Sequence, residues 1–175
     1  MNTKLNKSVY FCGNLIPRSL PAPVLERIGN EASAASNIFY NSLLSGFVEN
    51  GVEVYSTSFV PKECIKDCVT NYSGSFKIRF ASKSKNLIIS IGDMIWHSYR
   101  NLSRFKKTQG NKAIVFNVLR LSSCTIGLIM SKLFNIKTVG VVTDVPGYRI
   151  KFGKDGVFNK ICDKFYQKAK NEVFG

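Results

Sequence analysis

Asp144 is the residue whose neighbours best suit it to chemistry. It is the only acid between Asp93 and Asp155, it follows the apolar run Thr138–Val142, and it opens onto Val145-Pro146-Gly147. A carboxylate at the end of a buried strand sits beside low-dielectric walls, where it can accept a proton or a hydrogen bond from a sugar hydroxyl. An aspartate before Pro-Gly also suits an Asx turn, and residue type and spacing leave both readings open. Gly13-Asn14 follows the β-prone run Ser8–Cys12. A glycine there lets backbone N–H groups come close to a phosphate or sugar, although a plain tight turn fits equally well. The chain contains no G-x-G-x-x-G and no Walker lysine motif, which disfavours nicotinamide cofactors and P-loop hydrolysis. His97 is the only histidine, beside Trp96 in a helical stretch. Without a G-x-S-x-G elbow it reads as a surface or interfacial residue rather than part of a triad.

The cations form a second constellation. Arg100, Arg104 and Lys107 fall on one side of a helical stretch, with Lys106 adjacent and Trp96 and Tyr99 near. Lys160, Lys164 and Lys168 form a second stripe at spacing four, flanking Phe158, Phe165 and Tyr166. Basic side chains beside aromatics suit the headgroup zone of an anionic membrane. Single-stranded nucleic acid is the other polyanion they would fit. Aromatics packed on a sheet with solvated lysines are the plain alternative.

The charge is localised. Residues 1–60 are neutral overall, whereas residues 61–120 carry twelve basic and three acidic side chains, most of the chain's +14. Such a patch points to a polyanionic partner. With 175 residues, 45% of them hydrophobic, the chain suits one domain over residues 1–175 and is too apolar for disorder. No apolar run reaches the ~20 residues that span a bilayer, and the first sixteen residues lack a signal-peptide core. A cytoplasmic location follows as the expectation. Five cysteines, with Cys64 and Cys68 four apart and one histidine, suit buried reduced thiols better than a disulfide framework or a zinc site. No metal ligand set is expected.

These residues need a scaffold. Ser8–Cys12 reads as a strand, and residues 14–30, with Pro17, Pro21 and Pro23, as a long loop. Ala32–Asn50 reads as a helix with Ala35, Phe39, Leu43 and Phe47 in line, ended by Gly51, and Val52–Tyr55 as a strand. A short helix is expected near Glu63–Val69 and a strand at Phe76–Phe80. Ile88, Ile91, Ile95, Tyr99, Leu102 and Phe105 share a helical face. Ala113–Asn117 and Thr138–Val142 read as strands buried on both sides, separated by a Ser123–Phe134 helix capped by Ser122 or Ser123, and Val157–Val173 as a final helix. Alternating strands and helices predict an α/β fold: a Rossmann-like, mostly parallel β-sheet flanked by helices. Ligands of such sheets bind beyond the carboxyl ends of the strands. The loops leaving those ends nominate Asn117, Arg120 and Thr143, beside Gly13 and Asn14, as substrate-binding residues.

The stretch Lys112–Arg120, followed by Lys137–Pro146 with its T-D-V-P, resembles the N-terminal domain of bacterial GT-B glycosyltransferases, closest to the retaining family 4, or group 1. Val9–Gly13, the loop after it and the Ala35–Gly51 helix fit the same domain, so the resemblance covers essentially the whole chain. In that family two Rossmann-like domains face each other across a cleft. The N-terminal one holds the acceptor, the C-terminal one holds the sugar nucleotide, and no metal is needed. The resemblance implies a UDP- or GDP-sugar as co-substrate, with no covalently bound cofactor. It implies Gly13 and Asn14 in the loop that approaches the donor phosphates, and Asp144 as the catalytic residue near the reacting centre. It also implies a sugar or lipid-linked acceptor, and docking of Arg100, Arg104, Lys106, Lys107, Lys160, Lys164 and Lys168 on the anionic inner face of the membrane. Nucleic acid is disfavoured as a partner. The family's C-terminal donor-binding domain, with its paired carboxylates, has no counterpart in these residues. The chain therefore resembles half an enzyme, inactive when isolated, or one subunit of a split glycosyltransferase.

Two readings rival it. A non-catalytic basic module would recruit a partner to anionic membrane or nucleic acid using the charge alone. A flavodoxin-like enzyme complete in one domain would need a phosphate-cradling glycine motif that the sequence lacks.

Overall fold

The computed structural model describes residues 7–83, 87–117 and 121–141. They form a parallel five-stranded sheet of order β3-β2-β1-β4-β5, flanked by helices, an α/β Rossmann-like fold. The strands are β1 (Lys7–Cys12), β2 (Val52–Pro61), β3 (Lys77–Lys83), β4 (Asn111–Asn117) and β5 (Lys137–Val141). The helices are α1 (Ala22–Ile28), α2 (Asn30–Ser33), α3 (Ala35–Glu49), α4 (Ile65–Asn71, entered through a 3-10 turn at Lys62–Cys64), α5 (Leu87–Lys106) and α6 (Leu121–Phe134). The chain builds outward from β1 through β2 to β3, then crosses back to place β4 on the other side of β1. That reversal between β1 and β4 is the switch point at which α/β sheets open a crevice.

Strand alternation divides the core. On one face, Val9, Phe11, Val54 and Val115 pack with Tyr40 and Leu44 of α3. Beside them Val60 and Phe80 meet Val24 and Ile28 of α1 and Cys64 and Cys68 around α4. On the other face, Tyr10, Cys12, Tyr55, Ile114 and Phe116 receive Leu102 and Phe105 of α5, with Met130 and Phe134 of α6 alongside. A period of two decides which side each strand residue serves. In β4, Ile114 through Asn117 are all buried, as its continuous apolar run requires.

Several expectations change. The proline-rich segment is not one long loop. Pro21 caps α1 and Pro23 lies in its first turn, where a proline removes only an N–H that has no helical partner anyway. The α3 stripe is shifted: Asn37, Tyr40, Asn41 and Leu44 are buried, while Phe39 is exposed. Tyr99 likewise faces solvent, whereas Asn101, Leu102 and Phe105 are buried. β2 runs on to Pro61 rather than stopping at Tyr55, because residues 55–61 pair with β3 and the Ser56, Thr57 and Ser58 hydroxyls find partners on β1 and the loop after it. The α6 helix starts at Leu121, ahead of both serines proposed as its cap. β5 is the edge of the described sheet and Lys137–Gly140 are exposed, not buried. Gly51, after α3, has φ +74° and makes the left-handed turn expected of it. Among the described residues no helix is long and apolar enough to cross a membrane. Residues 142–175, including Thr143, Asp144 and the Val157–Val173 stretch, and residues 118–120, including Arg120, lie outside the described residues.

Candidate functional site

The crevice end of the sheet is built around the loop that follows β1. Leu15, Ile16 and Pro17 are fully buried there, so the polar backbone of this loop must be answered from within the protein. Two asparagines one turn apart on α3 answer it. Asn37 accepts the Ile16 N–H through Oδ1 (2.9 Å) and donates to the Ile16 carbonyl (3.0 Å). Asn41 donates to the same carbonyl (2.9 Å) and accepts the Arg18 N–H (3.2 Å). From β2, the Ser58 hydroxyl donates to the Leu15 carbonyl at 2.5 Å. The loop is thus bolted to α3 on one side and β2 on the other.

Asn14 closes the arrangement. Its Oδ1 accepts the Phe59 N–H (2.8 Å) and its Nδ2 donates to Glu31 Oε2 (3.1 Å). The other oxygen of Glu31 pairs with Lys83 at the end of β3. The side chain of Asn14 therefore links the carboxyl ends of β1 and β2 directly and reaches β3 through Glu31 and Lys83, using one N–H and one oxygen lone pair of its amide. Gly13 is demanded by packing: a Cβ there would stand 2.7 Å from two ring carbons of Phe11. That ring is itself buried and packed, tilted, against Tyr40 at 4.8 Å between centroids, so it has little room to yield. Asn117 ends β4 across the switch point from Cys12 and Gly13 and is buried. The structure therefore brings Gly13, Asn14 and Asn117 to one end of the sheet, as their positions in the sequence predict.

Glu31, Asn37, Asn41 and Lys83 escaped sequence reasoning. The signal that Asn37 and Asn41 offered was a pair of amides spaced by four in a helix; that they face the sheet is seen only in the structure. A cleft of about 400 Å³ opens beside the bolted loop, lined by Arg18, Ser19, Asn41, Glu49, Tyr72 and Ser75 among others. Its wall suits a hydroxylated ligand, but the Asn41 amide and the Tyr72 hydroxyl, which donates to the Phe76 carbonyl (2.9 Å), are already engaged in the fold.

The opposite face carries the cations. Arg100, Arg104 and Lys106 on α5 and Lys107 just after it are all exposed, with Trp96 and Tyr99 more than half exposed among them. The Arg100 guanidinium lies 5.6 Å from the Trp96 ring, and Lys106 Nζ lies 5.1 Å from Phe134. Lys160, Lys164 and Lys168 fall outside the described residues.

His97 is half-buried, with Nε2 3.5 Å from Asp93 Oδ1. Asp93 also accepts the Ser82 N–H at 2.8 Å. Burial pushes its carboxyl up, but the Ser82 hydrogen bonds and His97 outweigh that and hold it below its ordinary value. The pair fastens the start of α5 to the end of β3. Cys12, Cys64 and Cys68 are free and buried. Burial pushes the Cys12 thiol up to about 12 and Cys68 to about 11, so neither is a thiolate at neutral pH. Compared with protein-family models, curated proteins and solved structures, the chain matches none.

Proposed function

We propose that this chain is the acceptor-binding half of a sugar-nucleotide-dependent glycosyltransferase, acting in surface polysaccharide or glycolipid synthesis at the inner face of the membrane. The observation that carries the reading is the rigid loop at the switch point, with Gly13, Asn14 and Asn117 gathered at the carboxyl ends of β1 and β4. A half-enzyme of this kind needs a preformed wall against which an acceptor is positioned. The T-D-V-P segment supplies the reactive group: Asp144 orients and polarises the acceptor hydroxyl. The donor, a UDP- or GDP-sugar, belongs to a second domain or partner. That part stabilises the leaving diphosphate, so the isolated chain turns over poorly. No metal or covalently bound cofactor enters the reaction.

Deleting the gene in its source organism tests this. The expected result is loss or shortening of a surface glycan or glycolipid, restored by the wild-type gene and not by Asp144→Asn. An unchanged glycan and glycolipid profile in the deletion strain overturns the reading.

A second reading is favoured by the exposed Trp96 and Tyr99 among α5 cations: a non-catalytic module that docks on anionic membrane. It predicts vesicle binding that weakens with salt and a deletion strain with normal glycans.

A further inference from the structure

We infer that Arg79, Arg100 and Arg104 form a binding site for one phosphate-type dianion at the β3 edge of the sheet, separate from the crevice and independent of the transferase reading. Arg79 lies on β3, opposite Thr57 of β2, on the face that α5 covers. Its neighbour Lys77 on the same strand face has an acid of its own, Glu53 at 2.7 Å. Arg79 has none. Its Nε is buried and has no hydrogen-bond partner, an arrangement that native proteins rarely leave unanswered. Arg100 and Arg104 stand one turn apart on the covering helix, exposed. The ion pairs among the described residues use Arg27, Lys77, Lys83 and His97, and none of these three arginines. The nearby acid of α5, Asp93, is occupied by Ser82 and His97.

The three cations act on one another. Burial first, then repulsion from Arg104 and Arg100, holds the Arg79 guanidinium below its usual range. Charges of one sign gathered around a buried, unmatched donor are what an oxyanion relieves. Guanidinium groups meet phosphate oxygens in pairs of parallel hydrogen bonds. Three such forks favour two negative charges over one, and therefore a phosphomonoester over a carboxylate or a phosphodiester. The Trp96 ring lies 5.6 Å from the Arg100 guanidinium, a cation–π contact that favours this placement of the fork. Arg79 is four residues before Lys83 at the end of β3, about 13 Å at ~3.3 Å per residue, so this site and the crevice are distinct.

The phosphate can belong to a soluble ester or to a lipid headgroup, and two arms of one experiment separate these. The full chain is titrated with inorganic phosphate and glycerol 3-phosphate, following the arginine Nε–H resonances. It is also co-sedimented with phosphatidylcholine vesicles carrying either phosphatidic acid or phosphatidylglycerol at matched charge. A saturable shift of the Arg79 Nε–H with the soluble probes, weakened about tenfold or more in Arg79→Lys and in Arg100→Gln, supports the site with a soluble ester as ligand. Preference for phosphatidic acid over phosphatidylglycerol, lost in Arg100→Gln, supports it with a lipid headgroup as ligand. Arg100 is exposed, so that variant folds even where Arg79→Lys does not. Lys66→Gln, on the far face of the sheet, removes equal charge and is expected to bind within about twofold of wild type. The site is overturned by absent phosphate binding together with vesicle binding that follows total charge equally in both lipids and both Gln variants. Preference for a single-stranded oligonucleotide over every phosphate probe also overturns it.

Discussion

Both faces of the sheet hold buried hydroxyls and amides in hydrogen bonds, Thr57 and Asn101 on the α5 side as well as Asn37 and Ser58 on the α3 side, and the faces differ in how they treat arginine. On the α3 face, Asn37, Asn41, Ser56 and Ser58 all find partners, and the loop after β1 has its Leu15 carbonyl, its Ile16 N–H and carbonyl and its Arg18 N–H satisfied from α3 and β2. On the α5 face, the buried Nε of Arg79 is left unmatched, and the ion pairs among the described residues use none of Arg79, Arg100 and Arg104. Satisfied polar groups rigidify a structure and specify one arrangement of it. Unsatisfied ones mark where the free energy of the fold has been set aside for something outside it. The first face therefore reads as the frame that positions a site, and the second as a surface that waits for an anion.

Breaking the frame should cost most. Replacing Asn37 and Asn41 together with Ala leaves the Ile16 N–H and carbonyl and the Arg18 N–H without their side-chain partners. A loss on the order of 3 kcal/mol or more is expected in urea denaturation, since each buried group left unmatched costs about 1–3 kcal/mol. A loss under about 1 kcal/mol would mean that the loop finds other partners. Gly13→Ala forces its Cβ against the Phe11 ring, and a loss of about 2 kcal/mol is expected from such overpacking. A folded Gly13→Ala protein with an unmoved Phe11 ring would contradict the packing account.

The Asp93 contact is a smaller part of the frame. Its carboxyl is held below its ordinary value of 3.8 in the folded chain. Its stabilising contribution is therefore present above that value and lost as pH falls through the lower folded value. Asp93→Asn should remove no more than about 1 kcal/mol at neutral pH, the side chain being nearly one-third exposed. It should also flatten the acid limb of stability against pH, and an unchanged acid limb would assign that loss of stability to other carboxylates.

The smallest effect sharpens the contrast most. Arg104→Gln on the cationic face should leave stability within about 0.5 kcal/mol of wild type, or raise it slightly by relieving repulsion. A clear destabilisation would place Arg104 in the frame after all.

How much of this could be read from residues alone follows the same division. β4 was legible because Ala113–Phe116 is an unbroken apolar run, as a strand buried on both faces requires. The order of strands and helices was legible because each apolar run keeps its own period. The α3 face was misread along Phe39 because its true sheet-facing stripe contains Asn37 and Asn41, and hydropathy patterning assigns amides to solvent. Those amides face inward for a reason that lies far away in the chain, in the loop at Ile16–Arg18. Helix α1 was hidden by its prolines, which are harmful inside a helix and tolerated in its first turn. At the candidate site, Gly13, Asn14 and Asn117 were legible as loop residues at strand ends. The engagement of Asn14 with Phe59 and Glu31 was not, since no local pattern links positions that far apart. Arg79 was likewise invisible as a functional residue, because it alternates unremarkably within Phe76–Phe80 and gains meaning only from the helix laid over it.

The most direct test of the central claim is transfer of label from radiolabelled UDP-glucose, UDP-N-acetylglucosamine or GDP-mannose into the lipid and polysaccharide fractions of membranes from the source organism. Membranes from the deletion strain carrying the wild-type gene are compared with those carrying Asp144→Asn. The account predicts incorporation from one of these donors with the wild-type gene, and a fall of about a hundredfold or more with Asp144→Asn, within the range that general acid–base groups contribute. Equal incorporation in the two, or in the deletion strain without any copy of the gene, would contradict it.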